Sequence, residues 1–213
     1  MKEYFARIEK EVKNAYETCQ KARQKGLDPA MDVEVLLAKN MAERVVGLIT
    51  IAAEQIKDSG VAERIEELEK NYGAQDWRVA LSIAKEVAEE KFCKFEDKRK
   101  AMEIGIRVGV AYITNGVVSS PLEGFTKLEI KKRRDGREYF AMYYSGPIRS
   151  AGGTGMSVSV LIGDYIRKQF GYDAYDPTPE EIKRIVTELY DYHERVTNLQ
   201  YLPSEDEIGF MVK

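Results

Sequence analysis

The chain has 213 residues, 44% of them hydrophobic, and 33 Lys and Arg against 36 Asp and Glu leave a formal net charge of −3. It is long enough to bury one large core or two smaller ones, and its pI near 5.5 excludes a simple basic nucleic-acid module, which would lie above about 9. No apolar run approaches the roughly 18 residues of a membrane span, and Met1-Lys2-Glu3-Tyr4 opens no signal-peptide core, so no membrane contact and a cytoplasmic location are expected.

Between Lys2 and Lys25, Phe5, Ile8, Val12, Ala15, Tyr16, Cys19 and Ala22 recur at helical spacing, and Gly26 stands where a C-terminal glycine belongs. Leu27-Asp28-Pro29 breaks the pattern, and Val33 to Leu37 is an apolar run too short to assign. A second helix is predicted from Met41 through Ile56, with Asn40 as cap and Glu43 completing a capping-box-like pair. Ser59 can begin a third, through Ile65 and Leu68 to Asn71, with Gly73 closing it. Asp76 caps a fourth, which carries Trp77, Ala80, Leu81, Ala84 and Val87. Lys98 to Asn115 form a further helix with Met102, Ile106, Val110 and Ile113 on its apolar face. Gly105 and Gly109 lie four apart on it, read as ordinary tight packing against another helix, and Gly116 ends it.

The period then changes from 3.6 to 2. Leu128 and Ile130 alternate with Glu129 and Lys131, Asp135-Gly136 supplies a turn, and Tyr139 to Tyr144 returns as an aromatic strand, which makes a β-hairpin. Its tip holds the densest positive cluster of the sequence, Lys131, Lys132, Arg133, Arg134 and Arg137. Such a cluster can neutralise DNA phosphates without reading sequence, or it can be a solvated turn that discourages edge pairing.

Next comes Ser145-Gly146-Pro147-Ile148-Arg149-Ser150-Ala151-Gly152-Gly153-Thr154-Gly155, a glycine-rich loop leading into a helix. Gly152 and Gly153 let backbone N–H groups approach an anion, Thr154 can cap the helix, and Arg149 can add a forked donor, so the loop can hold a phosphate. It can equally be a tight β-to-α connection. It has neither the Lys-Ser/Thr ending of a Walker A loop nor G-x-G-x-x-G spacing, which argues against mononucleotide hydrolysis. Met156 to Phe170 reads as a mostly buried helix ending at Gly171. Thr178-Pro179-Glu180-Glu181 is a helix start with N-cap, first-turn proline and closing glutamate, and Ile182, Ile185, Val186, Leu189 and Val196 share a face. Pro203 stops this region, and Glu205 to Val212 reads as a strand.

Cys19, Cys93 and the single His193 cannot by themselves complete a four-ligand zinc site. The cysteines read as small residues of helical cores, and His193 as a hydrogen-bonded helix residue. Charged residues at 32% with both signs interspersed make a surface of the kind found in heat-adapted proteins. The fold class expected is α+β: a helical region over 1–116, then an α+β region over 117–213 with the hairpin, the glycine loop and two further helices. Three function classes fit: a DNA-guiding assembly module, a hydrolase or nuclease, and a helical scaffold for protein partners. For the second, Asp135, Asp164, Asp173, Asp176 and Asp191 show no spacing of a two-metal site.

The run from Tyr143 to Gly155, the segment that follows to Gly171, and Asp191 to Ile208 together resemble the N-terminal region of the large subunit of archaeal family D DNA polymerase. Ala22 to Pro29, Met41 to Val45, Val61 to Ile65 and Val118 to Gly124 fall in the family's order. Where the family continues its glycine loop with Ala-Gln-Ala-Leu, this chain has Gly155-Met156-Ser157-Val158. The resemblance implies a piece of a longer polypeptide whose metal-binding carboxylates lie downstream, so no catalytic or metal-binding residue is expected here and the segment alone should be inactive. For the intact enzyme it implies template-directed DNA synthesis with Mg2+, in a heterodimer whose small subunit is a 3′-to-5′ proofreading exonuclease. The partners implied are that small subunit, the rest of the large subunit and primer-template DNA, together with self-association through the first helices. The DNA or phosphate contacts would come from Lys131, Lys132, Arg133, Arg134, Arg137, Arg149, Gly152, Gly153 and Thr154.

Overall fold

Short polar side chains set where the helices begin in this computed structural model, which describes residues 2–27, 37–116, 119–146 and 153–212. Helix α1 spans Lys2–Gln24, α2 Met41–Thr50, α3 Val61–Tyr72, α4 Trp77–Ala88 and α5 Lys98–Ile113. Asn40, Asp76 and Asp97 cap α2, α4 and α5 by accepting from the amides of Glu43, Arg78 and Lys100. A π-helical turn at Ser119–Gly124 leads into β1, Phe125–Lys132, which pairs with β2, Glu138–Tyr144. Helix α6 then spans Gly153–Gln169, α7 Pro179–Arg195 and α8 Glu205–Val212. The fold is α+β, helix-rich with a two-stranded hairpin, as the pattern predicts.

Several boundaries differ from the sequence reading. Helix α2 stops at Thr50 rather than Ile56, because Ala53 turns to an extended φ of −157° and a single 3-10 turn, Glu54–Ile56, delivers Ile56 to the core. Ser59 bonds back to the Ile56 carbonyl, and Gly60, at φ +94°, occupies the cap of α3. Cys93 lies between α4 and α5, packed against the core, rather than on a helix. Thr154 sits inside the first turn of α6, so it does not cap it, and α6 is only half buried, with Val160 and Leu161 exposed. Val196 ends α7 in an exposed position. The stretch Glu205 to Val212 is helix, not strand. Ser204 and Glu207 close a capping box there, Ser204 N–H donating to Glu207 Oε2 at 2.8 Å and Glu207 N–H to Ser204 Oγ at 3.3 Å. Thr178 and Glu181 make the box anticipated for α7. The run Val33 to Leu36 lies outside the described residues.

Two compact units emerge, Met1–Leu128 with Met142–Ile166, and Glu129–Ala141 with Arg167–Lys213. In the first, α5 is buried around its whole circumference from Ala101 to Tyr112, not along one face. Gly105 and Gly109 explain how α4 approaches. A Cβ at Gly105 would run into the Ala84 carbonyl oxygen and stand 3.0 Å from Ala88 Cβ, and one at Gly109 would stand 3.0 Å from Ala84 Cβ. Val45, Ile49, Ile65, Val79, Ile83, Val87, Ile104 and Val108 fill the core around this contact. Arg64 ties α3 to α4 through two bonds of 2.8 Å to Glu86. Tyr112 holds the turn before α4, its hydroxyl donating to Glu69 at 2.7 Å and accepting from the Gln75 amide at 2.9 Å.

Helix α5 also fixes the base of the hairpin. Arg107 is buried, and its guanidinium donates to the carbonyls of Pro121, Phe125 and Thr126 at 2.5, 2.7 and 2.7 Å while stacking 4.9 Å over the Phe125 ring. Its counter-charge is the buried Glu103, 3.2 Å away, which also accepts from the Leu128 amide at 3.1 Å, Arg99 at 3.0 Å and Lys100 at 3.1 Å. Five planar donors suit this cluster of carbonyls, where a lysine would offer only a point charge. Met142 of β2 meets α6 at Gly163, where a Cβ would collide with its sulfur, and Tyr144 bonds Ser159 at 2.8 Å. In the second unit Ile208 of α8 is buried and Gly209 lies beside Ile182 of α7.

Gly105→Ala is expected to lower stability by about 1–3 kcal/mol through overpacking at the Ala84 carbonyl, read by denaturant unfolding. For Glu103, burial raises the carboxyl pKa, but the Leu128 amide, Lys100 and Arg107 together outweigh it and leave the group below its ordinary 4.5. A depressed carboxyl stabilises the fold above its unfolded pKa, and the contribution is lost as pH falls through the lower folded value. Glu103→Gln is therefore expected to cost about 3 kcal/mol near neutrality by leaving Arg107 uncompensated, and to flatten the acid limb of a stability–pH curve below the ordinary carboxylate range.

Candidate nucleic-acid interface

The far end of the hairpin carries the basic cluster. Arg133 N–H donates to the Arg137 carbonyl at 2.7 Å and Gly136, at φ +84°, to the Arg133 carbonyl at 3.0 Å, which closes the turn. Only glycine takes that φ without strain, so the Asp-Gly pair serves as the sequence predicts. A third strand-like segment lies alongside: the Asp173 amide donates to the Glu138 carbonyl at 2.9 Å in a parallel bridge between Tyr139 and Asp173. Ring contacts reinforce it, Tyr139 to Tyr175 at 5.0 Å and Phe140 to Tyr172 at 5.1 Å between centroids. Tyr175 is in turn held by a 2.7 Å bond from its hydroxyl to Glu181 in the first turn of α7.

This segment brings two aspartates onto the arginines. Arg137 Nη1 donates to Asp173 Oδ1 at 2.8 Å, and Arg134 Nε to Asp176 Oδ2 at 3.3 Å, with a further bond from Arg134 to the Asp176 carbonyl. Arg133 lies 3.6 Å from both carboxylates, 3.3 Å from Asp135, and donates to the Ala174 carbonyl at 3.1 Å. Asp135 also takes the Arg137 guanidinium at 2.7 Å, and that side chain and its amide hold the carboxyl below the usual carboxylate range. Lys131 is 3.6 Å from Glu129, and Lys132 is exposed. Three guanidiniums thus face three carboxylates. Arg133 is nearly covered, with 15% of its side chain accessible, while Arg134 and Arg137 remain 60% and 58% accessible. The arrangement is a fork of charge-assisted donors of the sort that takes oxyanions, with the chain's own aspartates on it.

Lys131, Lys132, Arg133, Arg134 and Arg137 are therefore gathered in one compact unit. Gly153 and Thr154 belong to the other, in the first turn of α6, where Thr154 is exposed. Arg149 and Gly152 lie outside the described residues. Sequence reasoning treated Asp173 and Asp176 only as acids without metal spacing. Their clue was the Asp-Ala-Tyr-Asp spacing, with tyrosines that pair the aromatic strand. Among the described residues no three His, Cys, Asp or Glu side chains form a group that could hold a metal ion. His193 is hydrogen-bonded, as anticipated, its Nδ1 accepting the Leu199 amide at 3.0 Å. No described helix is long and apolar enough to cross a membrane.

Residues 3–213 match a family model described as DNA polymerase II large subunit DP2, N-terminal. The chain is 50% identical over 210 residues to the DNA polymerase II large subunit of Nanoarchaeum equitans, covering 99% of this chain and 17% of that protein. It is 47% identical over 213 residues to the same-named protein of Methanosarcina barkeri, covering 100% of this chain and 18% of the relative. For the Thermococcus kodakarensis protein the figures are 45% over 215 residues, 100% and 12%. The chain thus spans less than a fifth of the length of these relatives.

Proposed function

Because the chain belongs to the family of the N-terminal region of the archaeal DNA polymerase II large subunit, of family D, we propose that it is a non-catalytic module which assembles that subunit and guides DNA through its hairpin tip. The observation that carries the DNA-facing part is the fork itself, with Arg134 and Arg137 more than half accessible at the end of a hairpin. Guanidiniums so presented can neutralise phosphates regardless of sequence. Any contribution from the glycine loop, through Arg149, Gly152, Gly153 and Thr154, would add backbone donors at the start of α6.

On this reading the intact cytoplasmic enzyme extends a DNA 3′ end on a template with magnesium, and a small subunit provides 3′-to-5′ exonuclease activity. No step of either reaction is assigned to a residue of this chain. The first unit would serve packing against the rest of the subunit and self-association. What supports this is the stripe of Phe5, Ile8, Val12 and Cys19 along α1, which is only partly covered. A second reading, a helical protein-interaction scaffold that touches no nucleic acid, is favoured by the fact that the tip arginines already have carboxylate partners.

A variant with Lys132→Gln, Arg134→Gln and Arg137→Gln is expected to bind duplex DNA more weakly. The slope of log affinity against log salt should flatten by about 0.9 for each phosphate that is no longer neutralised. Unchanged affinity across the salt series would favour the scaffold. Nucleotide incorporation or DNA cleavage by the 213-residue chain with magnesium would overturn the non-catalytic assignment.

A further inference from the structure

We propose that Asp173 and Asp176 form an intramolecular latch that occupies the arginine fork in place of phosphates, so that duplex DNA binds the hairpin tip only by displacing them. The inference rests on the DNA-contact reading above and concerns how that contact is regulated.

The two carboxylates approach the guanidiniums as phosphodiester oxygens would: Arg137 Nη1 at 2.8 Å from Asp173, Arg134 Nε at 3.3 Å from Asp176, and Arg133 at 3.6 Å from each. Arg134 and Arg137 keep more than half of their side-chain surface in water, so an incoming anion can compete for them without unfolding the tip. The aspartates are also negative charges set beside the path of a polyanion, so they weaken binding twice, by holding the donors and by repelling the ligand. Contacts independent of the carboxylates keep the segment in place: the Asp173 amide on the Glu138 carbonyl, Arg133 on the Ala174 carbonyl, and the Tyr139–Tyr175 and Phe140–Tyr172 ring pairs. Loss of the carboxylate charge therefore frees the fork while the loop stays bridged to β2.

The test compares the wild-type chain, Asp173→Asn with Asp176→Asn, and a charge-matched control, Glu188→Gln with Asp191→Asn. The control acids pair with Arg184 and Arg195 on exposed α7. With a random-sequence duplex over a salt series, the latch variant is expected to bind about tenfold tighter than wild type, with a slope steeper by about 1–2 as freed arginines reach phosphates. The control should gain little. An equal gain in the control, or none in either, overturns the latch. If Arg134→Gln with Arg137→Gln leaves wild-type binding unchanged as well, the DNA-contact reading itself falls. Carboxyl-carbon NMR of the wild-type chain tests the latch without any variant: saturating duplex should move the Asp173 and Asp176 side-chain resonances as the arginines leave them, and unmoved resonances would overturn it even where the double variant fails to fold.

Discussion

The contact of α4 with α5 is the constraint from which the first unit follows. Only the missing side chains at Gly105 and Gly109 let the α5 backbone settle against Ala84 and Ala88. At that distance α5 is enclosed on every side, and its polar groups on the remaining face have no water to turn to. Arg107 and Glu103 answer this by binding main-chain groups of the hairpin base, where Pro121, Phe125, Thr126 and Leu128 supply the partners. A buried pair of this kind contributes little net stability but is costly to break. Its effect is therefore specificity of placement: the strands leave α5 at one register, because a slip would strand a guanidinium among unmatched carbonyls.

Beside single exposed pairs such as Lys94–Glu90 and Arg184–Glu188, opposite charges in this chain are matched in local sets. Glu103 gathers Arg99, Lys100 and Arg107, Glu86 takes Arg64 in a bidentate pair, and the hairpin tip sets three arginines against Asp135, Asp173 and Asp176. Exposed pairs contribute only about 0–1 kcal/mol each, so the tip set is not a main source of stability. It does fix where the arginines point, and the third segment gives the hairpin end a partner on its open edge.

What the sequence disclosed was local chemistry. Asn40, Asp76 and Thr178 acted as caps because an N-cap needs only a short acceptor and a few residues of context. Asp135-Gly136 made its turn for the same reason. The start of α8 is local chemistry as well: Ser204 and Glu207 form a capping box, a signal for helix that outweighs the strand-like reading of Glu205 to Val212. Other features were hidden because their causes lie far along the chain. Apart from Asp135, the partners of Arg133, Arg134 and Arg137 are about forty residues away, and nothing in the run of basic residues hints that two further aspartates will come back to it. The full burial of α5 was likewise illegible, since Arg107 and Glu103 read as a solvent face until the hairpin carbonyls are brought over them.

That distance in sequence bears on how a basic tip can sit on an acidic chain. A bare cluster of five cations would attract any polyanion, with an affinity set by salt alone. Once carboxylates of the same unit hold the fork, attraction at long range is nearly cancelled, and what remains is a short-range site whose donors are oriented and only partly covered. Such a site discriminates by position rather than by charge: an anion gains from it only when held close enough to exchange with the aspartates. Within the proposed polymerase module, that would let DNA already gripped elsewhere in the subunit engage the tip more readily than free nucleic acid in solution does.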